Sequence, residues 1–233
     1  MRLLLITLFL PFMFACQDQD VQEDEPQGLS SQTYRYLALG DSYTIGTAIG
    51  VDSSYSAQLV DSLEASQEAD SVYYQVIATN GWTTADLQNG INRDQPDSSF
   101  DVVTILIGVN NQYQRRSIPE YEIEFRSLLD QAIIFAANRK ERVLVVSIPD
   151  WGVSPAGAGN RAQVASEIDA FNAAQKAICD SLQVDFVNIT EISRQGLNDP
   201  QLIARDGLHF SKAMHRLWMK ELYASWYGKI TAQ

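Results

Sequence analysis

The sequence predicts a three-layer α/β domain built on a parallel five-stranded sheet, and two observations carry that reading. Five short runs, "YRYLALG", "VYYQVIA", "DVVTILIG", "RVLVVSIP" and "VDFVNI", are each close to continuously apolar. Strands covered by helices on both faces have this pattern, because neither side meets water. Between the runs lie longer segments with helical spacing, at 55–68, 83–92, 119–139 and 162–182, and a last one at 211–227. Strands alternating with helices imply right-handed crossovers on one sheet. With 233 residues, no internal repeat and no second linker, residues 34–230 read as one domain.

The chain opens with "MRLLLITLFLPFMFAC", one positive charge and a short apolar run that stops at Cys16. The run is too short to span a bilayer as a helix and reads as a secretory signal over residues 1–15. Its Ala-Cys ending, with Met13 three before the cysteine, resembles a bacterial lipoprotein signal, in which Cys16 becomes the lipidated first residue. Cleavage by an ordinary signal peptidase, leaving a stray thiol, is the alternative. Residues 16–33 follow as a polar, acidic stretch without aromatics, too poor in apolar surface to offset its ordering entropy, and hence a tether. An acidic run in this place resembles surface-export signals of some Gram-negative lipoproteins. The expected location is the cell envelope, on a lipid anchor alone.

In chain order, the first strand runs into "GDSYTIG", so Asp41 and Ser42 stand at its end. Gly, Asp and Ser are ordinary turn formers; the sharper reading is a turn that lifts Ser42 to the lip of the sheet. The second strand is followed by Gly81 in "ATNGWTTADL", and the third by Gly108 and Asn110 in "ILIGVNNQY". The 162–182 helix holds Cys179, read as a small core residue without a disulfide partner. The loop "ARDGLHFS" brings Asp206 and His209 in just before the last helix, where Met214, Trp218, Leu222 and Trp226 step by four along one face. In open α/β sheets, sites form where loops leave the carboxyl ends of strands. Ser42, Gly81, Asn110, Asp206 and His209 all fall on that edge.

Their chemistry is complementary. A serine hydroxyl needs a base within hydrogen-bond reach, and the chain has two histidines, His209 and His215. Asp206, three residues before His209, can hold one ring nitrogen and leave the other free. His215 reads as a helix residue near the core edge. A tetrahedral intermediate needs donors for its oxyanion. A glycine amide at a strand end and an asparagine side chain are suitable, while turn formation at Gly81 and Gly108 and loop capping at Asn110 are the plainer alternatives.

Ser42 in "GDSY", Gly81 in "NGWTT", Asn110 in "GVNN" and the "DGLH" segment, in this order, resemble the four blocks of the SGNH hydrolases, the GDSL esterase/lipase family. The resemblance covers about residues 36–227. It implies a flavodoxin-like sheet of order 2-1-3-4-5 and metal-free, cofactor-free hydrolysis of esters or thioesters. By position, Ser42 would be the nucleophile and, through its N–H, an oxyanion donor. Gly81 N–H and the Asn110 amide would be the other donors, with Asp206 and His209 as orienter and base. Asn111 stands where the family usually has Asp, which leaves the oxyanion donor in place and opens the question of how its loop is held.

The net charge of −12 argues against nucleic acid, whose phosphates call for Lys and Arg, and gives no attraction to an anionic bilayer. A nucleotide-binding reading fails because "GDSYTIG" has neither a phosphate lysine nor Gly-x-Gly-x-x-Gly spacing. The expected protein is a monomeric serine esterase acting on an acylated carbohydrate, a lysophospholipid or another short acyl ester. A non-catalytic envelope lipoprotein using the fold as a binding module is the reading from another class. The loops at 110–117 and 149–160 would line the pocket: Arg115 and Arg116 could meet an anionic head group or stay solvated, and Trp82 and Trp151 could floor a substrate or pack the core.

Overall fold

A computed structural model describes residues 33–66 and 71–230. The signal, the tether up to residue 32 and the lipidation site Cys16 lie outside the described residues. Five strands form one parallel sheet: β1 (Thr33–Gly40), β2 (Ser71–Ala78), β3 (Val102–Leu106), β4 (Val143–Val146) and β5 (Asp185–Val187), in the order β2-β1-β3-β4-β5. The sheet therefore begins at Thr33, one residue before the expected domain.

The helices are α1 (Ser42–Ile45), α2 (Tyr55–Ala65), α3 (Thr84–Asp94), α4 (Val109–Tyr113), α5 (Ile118–Phe135), α6 (Arg161–Leu182), α7 (Thr190–Ser193) and α8 (Lys212–Ile230). All five longer ones fall where the spacing predicts, and their starts have chemical causes. Ser54 caps α2 by accepting from Ala57 N, Thr83 and Asp86 form a capping box on α3, and Ser117 caps α5 with Pro119 in its first turn. The short α1, α4 and α7 carry too few residues to show a period, so the pattern reading passes over them.

Helix α2 packs on α8, while α5 packs on both α3 and α6. The chain leaves β1 for β2 on one side and returns past β1 to β3 on the other. Right-handed crossovers in opposite directions put their helices on opposite faces, and a crevice opens between β1 and β3. Along α8, Met214, Trp218, Leu222 and Trp226 are all buried, as their four-residue step predicts.

The expectation that all five strands are buried on both faces holds for the centre and fails at the edge. Every residue of β3 and β4 is buried, whereas in β2 only Ile77 and Ala78 are, and Tyr73 is 48% exposed. β2 pairs with β1 alone, so its outer side has no neighbour. The Arg35 guanidinium lies over the Tyr73 ring, 4.6 Å from its centroid.

Candidate active site

The register of the sheet sets the geometry of the rim. Gly40 is level with Ala78 on one side and Leu106 on the other, so β1, β2 and β3 end together. Ser42, Gly81 and Asn110 follow those ends within four residues and reach the same crevice. A methyl group on Gly40 would meet Thr44 Oγ1 at 2.1 Å and Leu106 O at 2.4 Å, which is why a glycine ends the strand. Gly81 needs no space but has φ +83°, the left-handed region that favours glycine.

Ser42 is the first residue of α1, with Asp41 as its N-cap: Asp41 Oδ1 accepts from Tyr43 N at 3.0 Å. Asp41 is buried, its Oδ2 has no hydrogen-bond partner among the described residues, and burial pushes the carboxyl up to about 7. Through this N-cap bond Asp41 ties the turn. Tyr43 packs behind the serine, edge-on to Trp218 and to the His209 ring.

His209 sits in a loop closed at its base by Ala204 N–H donating to His209 O (2.8 Å) and by the Ile203–Phe210 bridge. Its Nδ1 is 2.6 Å from Asp206 Oδ2, and Asp206 Oδ1 accepts from Leu208 N and His209 N, each at 3.0 Å. Partial burial pushes Asp206 upward. The His209 ring and the two backbone donors outweigh it and hold the carboxyl below its usual range.

Ser42, Tyr43, Asn80, Gly81, Val109, Asn110, Tyr113, Trp151, Leu208 and His209 line one cavity of about 250 Å³. Among the described residues no hydrogen bond joins Ser42 Oγ to His209; such bonds are often long in a free site and tighten with substrate. Asn110 Nδ2 donates to Trp82 O at 2.9 Å, which spends one of its two protons on orientation. The sequence-predicted residues Ser42, Gly81, Asn110 and His209 are thus together, with Asp206 directly behind.

Asn111, the position that departs from the family pattern, is buried and turned the other way. Its Oδ1 accepts from Thr84 N (3.0 Å) and its Nδ2 donates to Thr84 Oγ1 (2.6 Å), while the Thr84 hydroxyl donates to Glu124. This stitches the Asn110 loop to the start of α3, just beyond Gly81. An aspartate here would compete with Glu124 for the single hydroxyl proton. The asparagine supplies a proton of its own and leaves that one to Glu124. Thr84 and Glu124 escape a motif reading because their partners are 27 and 40 residues away.

The other expectations divide. Cys179 is buried, with its thiol pushed up to about 12 by burial and then by Asp180, so it is a core residue. His215 is only 1% exposed, deeper than the core edge expected of it, because α2 lies over it. The Trp82 ring packs on α3 beside Gly90, and Arg116 pairs with Glu120 at 3.2 Å; neither side chain lines the cavity. Trp151 does line it. Among the described residues no group of three or more His, Cys, Asp or Glu is arranged to hold a metal ion.

Residues 38–217 match the model of the GDSL-like lipase/acylhydrolase family. The chain belongs to that family. As a GDSL-family, or SGNH, protein it is a carboxylic ester hydrolase acting on small-molecule esters. No match was found among curated protein sequences. Among solved structures it is similar to the lipase Lip_vut3 from a goat rumen metagenome, at TM-score 0.69 and 18% identity over 84% of this chain and 99% of that one. An acetyl xylan esterase gives 0.66 and 16% over 82% and 98%, and a lipase/acylhydrolase from Enterococcus faecalis 0.64 and 21% over 84% and 96%. At these identities the likeness speaks for the shared GDSL-family fold.

Proposed function

We propose that the protein hydrolyses short-chain carboxylic esters through an acyl-enzyme on Ser42, with His209 as base and Asp206 as its orienter. His209 Nε2 takes the Ser42 Oγ proton as Oγ attacks the ester carbonyl carbon. The tetrahedral oxyanion is met by Ser42 N–H, Gly81 N–H and the remaining Asn110 Nδ2 proton. Among the described residues those two backbone N–H groups have no other hydrogen-bond partner, so they are free to donate. The His209 proton passes to the leaving alkoxide, and the alcohol departs. Water then gives a proton to His209 and attacks the acyl carbon; the Oγ–carbon bond breaks, His209 returns the proton to Ser42 Oγ, and the carboxylic acid leaves.

The observation that supports this most is the 2.6 Å His209–Asp206 contact behind a cavity that His209 shares with Ser42, Gly81 and Asn110. The contact fixes the ring tautomer with Nδ1–H toward the carboxylate and Nε2 free to accept. The test is labelling by a p-nitrophenyl phosphonate followed by peptide mass mapping. An adduct on Ser42, absent in His209→Ala, is expected, and an adduct elsewhere overturns the assignment.

We extend the proposal to a monomer held in the cell envelope by lipid on Cys16, supported by the apolar run that stops at that cysteine. Cys16→Ser is expected to move the protein from the membrane pellet to the soluble fraction.

A further inference from the structure

The catalytic cavity adjoins a second, larger cleft of about 600 Å³, and Tyr113, Trp151 and Leu208 line both. Leu208 is the residue next to His209, so the outer cleft adjoins the histidine side of the site. A leaving alcohol must lie on that side, because it takes its proton from His209. The rest of the cleft is polar: Gln112, Arg115, Asn160, Gln163 and Glu167 line it, with Ala156 and Val164 as its small apolar part. We propose that this cleft is the leaving-group subsite and that it receives the hydroxyl-rich ring of a short-acylated saccharide. The proposal rests on the ester-hydrolase mechanism above and deepens it.

Three features select that ligand class. The first is an aromatic wall. Tyr113, 67% exposed, stands edge-on to Trp151 at 5.6 Å between ring centroids, presenting ring surface to a ligand with C–H faces. Trp151 cannot drift, because its Nε1–H donates to Gln112 Oε1 at 2.9 Å. The preceding Asp150 is buried and paired with Arg194 Nε at 3.0 Å.

The second feature is a prearranged set of hydroxyl partners. Gln112 Nε2 donates to Glu167 Oε2 at 2.6 Å and Gln163 Nε2 to Glu167 Oε1 at 2.8 Å. The Gln163 and Gln112 donors hold the Glu167 carboxyl below its usual range, so it stays an acceptor for sugar hydroxyls. In the same lining Arg115 offers donors from a backbone with φ +58°, which costs a non-glycine residue something to adopt.

The third is what the lining excludes. A long acyl chain laid here would strip water from three amides and a carboxylate and return no hydrogen bond. An anionic head group would meet one charge of each sign, Arg115 and Glu167, and gain no net attraction. The inner cavity, about 250 Å³ including the space over Ser42, suits an acetyl or similarly short acyl group. A neutral, hydroxyl-rich alcohol fits both spaces.

The test compares kcat/KM for monoacetylated cellobiose with that for p-nitrophenyl acetate, whose leaving group has no hydroxyls to offer, and with that for lysophosphatidylcholine. Wild type is expected to favour the acetylated disaccharide. Glu167→Ala should lower the disaccharide-to-nitrophenyl ratio about tenfold, chiefly through KM, and Gln163→Ala should lower it by a smaller factor. A ratio unchanged in both variants, or a preference for lysophosphatidylcholine, overturns the subsite while leaving the ester-hydrolase mechanism standing. Loss of both acetyl activities in Ser42→Ala supports that mechanism separately. If wild type cleaves neither acetyl ester, or Ser42→Ala cleaves both, the mechanism itself falls and the subsite with it.

Discussion

Two histidines six residues apart give the sharpest contrast in the molecule. His209 and His215 are both largely enclosed, at 9% and 1% exposure, yet their surroundings assign them opposite parts. His209 presents its ring to a cavity and rests Nδ1 on a carboxylate, 2.6 Å from Asp206 Oδ2. His215 turns Nδ1 inward to accept from Tyr55 N at 3.1 Å, with its ring between Tyr55 and Trp218. Burial, and then the charge of His209, pushes the His215 imidazole down to about 3, so it stays neutral at working pH. The difference teaches that a proton carrier needs both an orienting acceptor and an open face. A histidine whose one acceptor nitrogen is used by the backbone is packing and glue.

The largest expected effect separates the pair directly. His209→Ala should lower kcat/KM for p-nitrophenyl acetate about 10³- to 10⁴-fold while the melting temperature barely moves. His215→Leu should do the reverse. It strands the buried Tyr55 N–H at a cost of about 2 kcal/mol, or roughly 4–8 °C in Tm, and leaves kcat per folded molecule near wild type. A swap of these phenotypes, read by steady-state kinetics and thermal melts, would break the comparison.

Next in size is the neighbouring pair Asn110 and Asn111, which face the cavity and the protein interior respectively. Asn110→Ala should reduce kcat about 10²-fold, with little change in KM, because the proposed mechanism uses that donor on the oxyanion. Asn111→Asp should cost about tenfold in kcat by setting a second carboxylate against the Thr84 hydroxyl. Combining it with Glu124→Gln should restore most of that loss, because the hydroxyl then serves one carboxylate and the introduced side-chain amide can donate in return. Additive losses in the double variant would show that the Asn111–Thr84–Glu124 chain does not hold the loop.

The smallest effects are in stability against pH, and there His215 opposes Asp41. Between about pH 6.5 and pH 3 the unfolded chain protonates His215 and the folded chain does not, so this group removes stability as pH falls. Asp41, pushed up to about 7, binds its proton in the folded state before the unfolded chain does. It therefore adds stability as pH falls from about 7 to 4 and withdraws it as pH rises. Relative to wild type, the Tm of His215→Leu should recover by a few degrees between pH 7 and pH 4. That of Asp41→Asn should shift by a similar amount in the opposite sense. Parallel Tm-versus-pH curves for all three proteins would remove both assignments.

These pairs also mark how far the sequence could be read. Ser42, Gly81, Asn110 and the Asp206/His209 step were legible because each stands next to the end of a strand, or within a three-residue spacing, where local order fixes position. Local order also places Trp218 and Trp226 on the inner face of α8. The depth of His215 was not legible, because it is decided by α2, some 150 residues earlier. Nor was the half-exposed state of β2, whose apolar run matches the central strands while its place at the edge is a property of the sheet. Glu167 and Gln163 share a face of α6 at a spacing of four, a signal the sequence does hold, but without Trp151 and Tyr113 opposite, it reads as an ordinary solvated helix face.

The amino-acid sequence by itself determined the alternation of strand and helix, the parallel sheet and the candidate site residues at its rim. Hydrophobic period and backbone preference act over a few residues and need no partner. Tertiary structure decided which histidine faces a cavity, which asparagine faces inward, which strand meets water and where an outer cleft adjoins the inner cavity. Those outcomes depend on side chains far apart in the chain sharing one desolvated space, where hydrogen-bond partners and burial, rather than residue type, set what each group can do.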